Sequence, residues 1–139
     1  MMGRLTLILD PCRARTLLLG FKERSLLHAK RIALPSDKQQ TVFAYAEAYL
    51  HTYKLSLLDV KSVIVVNGPG RFSGLRMAAV MANIFAWDKG SQLFTARSRK
   101  EQSSDPAIAA WDILQRSRPV RRIAPYYGKP AHITRPKRR

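Results

Sequence analysis

An α/β domain built on one mixed sheet is predicted by three observations. Three short apolar stretches come first, at residues 4–10, 15–21 and 25–34, each set off by polar residues. A long amphipathic segment then leads to a continuous apolar run at residues 62–66, which stops at Gly68-Pro69-Gly70. Beyond that turn the chain is Ala-rich at helical spacing over residues 73–87, and residues 91–95 are again strand-like. The predicted order is βββαβαβ: three antiparallel strands, a crossover helix, a parallel strand, a second helix and a last strand.

Each element has its own warrant. The first three stretches read as a strand meander, although the Leu-rich second one has a pattern that also suits a helix. Pro35-Ser36-Asp37 breaks the chain, and Ser36 or Asp37 suits an N-cap. From there Val42, Tyr45, Ala46, Tyr49, Leu50 and Tyr53 repeat as one face of an amphipathic helix. Leu55 to Asp59 reads as a short helical turn before the fourth strand. In Gly68-Pro69-Gly70, Pro69 suits the second position of a type II turn and Gly70 the third, where φ is positive. This order describes a ribonuclease-H-like or actin-like lobe, although strand–helix alternation alone admits other α/β layouts.

Length and charge bound the rest. At 139 residues one domain is expected. The net charge of +16 favours anionic partners, nucleic acid first and acidic protein surfaces second. Residues 1–96 carry 13 basic and 6 acidic groups, residues 97–139 carry 12 and 3, so the charge is concentrated late. The expected division is a lobe over 1–96, then a linker, a short helix at 106–116 and a basic, Pro-containing tail to 139. Cys12 is the only cysteine, which excludes an internal disulfide or a multi-cysteine zinc site. The apolar run Leu5 to Leu9 is too short for a signal peptide or a membrane span, so a soluble, cytoplasmic protein is expected.

The second helix is the first candidate for function. Gly74, Ala78, Ala82 and Ala86 recur every fourth residue, and Met81 and Phe85 flank them. A helix apolar nearly all round is buried on more than one side, and small residues allow close approach of another helix. These six are the candidate partner interface; the alternative is that the chain's own first helix and carboxy-terminal segment cover them.

Other chemistry is weaker. Gly68-Pro69-Gly70 lacks the Gly-Lys-Ser/Thr of a phosphate loop, and Pro69 has no N–H to donate. Asp10 and Glu47 fall near acidic positions of ribonuclease-H-like enzymes, but two-metal chemistry needs several converging carboxylates and the fourth strand runs into neutral Asn67. His28, His51 and His132 share no metal-ligand spacing, and Cys12 has no adjacent base, so no catalytic residue, metal or cofactor is expected. Arg116, Arg118, Arg121, Arg122, Lys129, Arg135, Lys137, Arg138 and Arg139 are candidate RNA contacts, with Tyr126 and Tyr127 available to stack on bases. The alternative is a tail that is solvated or docked on a partner.

The segment Asn67-Gly68-Pro69-Gly70-Arg71-Phe72-Ser73-Gly74-Leu75-Arg76 resembles the Gly-Pro-Gly-Ser-Phe-Thr-Gly-Leu-Arg signature of the TsaB family. Leu7-Ile8-Leu9-Asp10, Leu57 to Ser62 and the stretch around Pro125 to Pro136 are weaker likenesses. The resemblance implies an actin-like (ASKHA) lobe without chemistry of its own. It implies a heterodimer with a TsaD-type catalytic subunit, joined by a TsaE-type ATPase, in tRNA threonylcarbamoyladenosine modification beside the anticodon. On this reading Gly68, Pro69, Gly70 and Arg76 form the signature turn, tRNA is met directly or through the complex, and a homodimer is a further option. Three departures stand out: Pro11-Cys12 in place of Thr-Ser, Arg71 in place of Ser, and too few residues after the first lobe for the second one that relatives carry. A shortened, single-lobe form is therefore expected. The competing reading is a stand-alone basic RNA-binding protein on a ribonuclease-H-like fold.

Overall fold

The central strand is β1 (Leu5–Asp10), buried along its whole length. It pairs antiparallel with β2 (Thr16–Glu23) on one side and parallel with β4 (Ser62–Val66) on the other. β3 (Leu26–Ala33) is antiparallel to β2, β5 (Gln92–Ala96) is parallel to β4, and β6 (Arg118–Val120) is antiparallel to β5. The six strands lie in the order β3-β2-β1-β4-β5-β6. This is a computed structural model, and it describes residues 5–13, 15–34, 42–69 and 72–126. The N-cap expected at Ser36 or Asp37, Gly70 of the turn, Tyr127, and the tail cations Lys129, Arg135, Lys137, Arg138 and Arg139 lie outside them.

Side-chain alternation divides the core between the two faces of the sheet. Leu5, Leu7 and Leu9 of β1, with Val63 and Val65 of β4, face α1 (Val42–Thr52) and α2 (Phe72–Lys89). Ile8, Ile64 and Val66 face the other way, against Ala109, Ala110, Ile113 and Leu114 of α3 (Pro106–Arg116). A strand covered on both faces needs apolar residues at both parities, which is why β4 reads as an unbroken apolar run. Local signals agree with the ends of the elements. Asp105 caps α3 by accepting from the Ala107 N–H at 2.9 Å, with Pro106 in the first turn. Ser56 and Asp59 make a reciprocal capping box on a 3-10 turn at Leu57–Asp59, before β4.

One feature differs from expectation. Residues 118–120 form a strand, β6, where the sequence reads as extended chain; Pro119 is tolerated because β6 is the edge of the sheet. The type II turn expected at Gly68-Pro69-Gly70 has its third residue, Gly70, outside the described residues. Of the two described residues, Gly68 has a positive φ of +63°, and the Gly68–Pro69 peptide is cis. Tertiary contacts surround Gly68: it donates to Cys12 Sγ, its carbonyl accepts from the Ser98 N–H at 2.7 Å, and the Tyr126 carbonyl lies against its α-carbon.

Candidate functional site

β1, β4 and β5 run parallel, so their carboxyl ends meet at one edge of the sheet. There a cavity of about 570 Å³ is lined by Asp10, Cys12, Arg13, Pro69, Ser98, Arg99 and Lys100. Asp10, at the end of β1, is 3% exposed. Its carboxylate accepts from the Cys12 N–H at 3.0 Å and from Gln102 Nε2 at 2.7 Å. The Gln102 carbonyl oxygen in turn accepts from Arg31, whose guanidinium also donates to the carbonyls of Ser103 and Ser104. The buried carboxyl group is thus held by neutral hydrogen-bond donors rather than by a direct ion pair.

Cys12 sits between the strand ends. Its thiol donates to the Val66 carbonyl and accepts from the Gly68 N–H, both at 3.3 Å. Burial, and then the neighbouring charge of Asp10, push the thiol up to about 12, so it is a neutral hydrogen-bonding group at physiological pH. The Gly68 N–H is spent on that sulfur and Pro69 has none, so neither offers a donor to a phosphate. The Gly68 and Pro69 carbonyls accept from Ser98, from its N–H and its hydroxyl respectively, both at 2.7 Å. Among the described residues no group of three or more His, Cys, Asp or Glu could hold a metal ion, and Glu47 is exposed on α1.

The segment after β6 closes the same edge. Asn83 of α2 holds the Ile123 backbone by both ends of its amide, accepting from the N–H at 2.8 Å and donating to the carbonyl at 2.9 Å. Asn67 donates to the Ala124 carbonyl and accepts from the Tyr126 N–H, at 2.8 and 2.9 Å. The Arg97 guanidinium lies 3.8 Å from the centre of the Tyr126 ring and donates to the Asn67 carbonyl. Ile123 packs in the same core cluster as Ala78 and Ala82, as the alternative of a covering carboxy-terminal segment has it, but the asparagines that hold the segment are 40 to 59 positions away and gave no sequence signal.

The candidate partner residues divide. Ala78, Met81, Ala82 and Phe85 are buried in the chain's own core, beside the sheet and α1, whereas Gly74 and Ala86 are half-buried. The apolar residues that α2 leaves exposed are Val80, Ile84 and Trp87, at 51%, 53% and 87%. They stand at i, i+4 and i+7, one stripe along the helix. Phe43 of α1 is also exposed, its ring edge-on to Phe85. Arg76 is exposed near the start of α2. The tail candidates that are described, Arg118, Arg121 and Arg122, are exposed, and Arg116 is tied to Asp112 and to the Arg97 carbonyl. No helix of the described residues is long and apolar enough to cross a membrane.

The helical tyrosines serve packing. Tyr49 OH lies 2.7 Å from His28 Nδ1 and donates to the His28 carbonyl, and Tyr53 OH lies 2.6 Å from His28 Nε2. Phe21 stacks against the imidazole. Tyr49 is pushed up by burial, and then by Tyr53, while His28 is lowered by burial and then by Lys30.

These features define an α/β lobe with helices on both faces, a cationic cleft at the strand carboxyl ends and an apolar stripe on its second helix. The same fold occurs in YeaZ, a TsaB protein, from Pseudomonas aeruginosa, to which the chain is 17% identical with a TM-score of 0.59. The match covers 68% of this chain and 44% of YeaZ, so the chain spans less than half of that protein's length. A second solved structure, described as an uncharacterized protein similar to peptidase YEAZ from Pseudomonas aeruginosa, matches with the same identity, coverage and TM-score. No family model matches the sequence. No curated protein matches it either.

Proposed function

We propose that the protein is a non-catalytic subunit, an actin-like lobe that docks onto a TsaD-type catalytic partner in tRNA threonylcarbamoyladenosine modification. The observation that carries this reading is the stripe of Val80, Ile84 and Trp87. A helix that exposes three large apolar side chains in one row, one of them a tryptophan at 87% exposure, suits an interface better than open water. The partner class rests on the signature resemblance at residues 67–76 and on the YeaZ-like fold.

The cleft supports a non-catalytic reading of the lobe. Asp10 has both oxygens engaged in hydrogen bonds and the Cys12 thiol is neutral, so neither is poised as a base or a nucleophile. The test is co-expression with a TsaD-type protein from the same genome, followed by size-exclusion chromatography with light scattering. A one-to-one complex is expected. Separate elution at micromolar concentration contradicts the reading, and a dimer of this chain alone replaces the heterodimer with self-association.

A further inference from the structure

Cations gather at the carboxyl edge of the sheet, apart from the apolar stripe of α2. Arg13 follows β1, and Arg97, Arg99 and Lys100 follow β5; all but half-buried Arg13 are exposed. Arg118, which opens β6, lies opposite Thr95 at the same edge and is exposed too. Several are held in place. Arg13 donates to the Arg99 carbonyl at 3.0 Å, Arg99 is paired with Asp112 at 3.1 Å, and Arg97 is laid on the Tyr126 ring. The acids nearby are accounted for: Asp10 is buried and doubly bonded, and Asp112 is shared by Arg99 and Arg116, which leaves Glu101 exposed.

We infer that this edge, centred on the cleft of Arg13, Arg99 and Lys100, binds the phosphodiester backbone of RNA. Two features favour that ligand over a mononucleotide. The cations extend from the end of β1 to the start of β6, three strand spacings apart, or roughly 14 Å, which reaches past a single phosphate. The net charge of +16 supplies a long-range field that a polyanion senses most. This contact needs no second subunit, so it stands or falls on the isolated chain and goes beyond the partner reading.

The test is fluorescence anisotropy of the full chain with a labelled 20-nucleotide oligouridine, titrated at several salt concentrations. The cleft variant carries Arg99→Gln and Lys100→Gln. A charge-matched control carries Lys54→Gln and Lys61→Gln, two exposed lysines away from this edge. Circular dichroism melting confirms that each variant folds. Loss of two phosphate contacts lowers the slope of log K against log salt by about 1.4 and weakens binding about 20-fold at 0.1 M salt. The control stays within about twofold of the parent chain. Equal weakening in both variants, no RNA binding by the parent, or equal binding of poly-glutamate would overturn the inference. So would calorimetric ATP binding that the cleft variant loses while RNA binding is unchanged. A cleft variant that still captures the TsaD-type subunit separates the two readings, because failure on RNA then leaves the partner role standing.

Discussion

A Cβ placed on Gly68 would lie 1.6 Å from the carbonyl oxygen of Tyr126. The turn that ends β4 is therefore a seat for the chain's own carboxy-terminal segment, and glycine stands there because a neighbouring backbone occupies the space of a side chain. The positive φ of +63° adds a second reason for the same residue.

Gly68→Ala meets both penalties. Strain at a left-handed position costs ~1–3 kcal/mol, and displacing Tyr126 adds the loss of the strap's hydrogen bonds. Urea denaturation should show the midpoint falling with little change in slope. A variant as stable as the parent would show that the strap is not seated on this turn.

Asn83→Ala removes both hydrogen bonds to Ile123, leaving that backbone without its partner at a cost of ~1–3 kcal/mol. The loss concentrates in the strap, so limited trypsin digestion after Arg121 and Arg122 should speed up about tenfold or more. Cleavage at the parent rate would mean that other contacts hold the segment.

His28 titrates below its ordinary 6.5 because of burial, and then of Lys30. The unfolded chain takes up a proton first as the pH falls, so the native contribution is present above 6.5 and is lost as pH falls through the lowered value. Parent stability should therefore drop between pH 7 and pH 5 more steeply than that of His28→Leu. Parallel profiles would remove the Tyr49–His28–Tyr53 network from the account.

Cys12 has the opposite sense. Its native value of about 12 exceeds the ordinary 9.0, so the folded chain keeps a proton that the unfolded one releases. Its contribution is full below 9.0 and is lost as pH rises toward 12. Cys12→Ala should therefore lose less stability than the parent between pH 8 and pH 10.5. Iodoacetamide at pH 8 should label the native thiol far more slowly than the urea-unfolded one, because thiolate is the reactive form.

The strands and helices were legible wherever burial imposes a period. Val63 to Val66 had to be covered on both faces, and Val42, Ala46, Tyr49 and Leu50 carry the helical stripe that α1 buries. The apolar girth of α2 was legible too, but which side stays open was not. Ala78 and Ala82 went to the sheet and α1, so the outward row is Val80, Ile84 and Trp87 rather than the small-residue stripe. Contacts between distant residues left no local trace. Nothing near Pro119 or Ile123 announces that Asn67 and Asn83 grip the strap, or that Tyr126 comes to lie against Gly68. The cleft was missed for the same reason, since Arg13 and Lys100 meet only when β1 and β5 end at one edge.

The role as a docking subunit is tested most directly at Trp87. Binding of the TsaD-type protein by the parent chain and by the Ile84→Asp, Trp87→Ala double variant can be compared by calorimetry, with circular dichroism as the check on folding. Both side chains are largely in water, so the variant should fold and melt within a few degrees of the parent. A central aromatic anchor is worth about 2 kcal/mol or more, so affinity should fall at least ~30-fold. Unchanged affinity in a folded variant would contradict the assignment of this helix face to the partner.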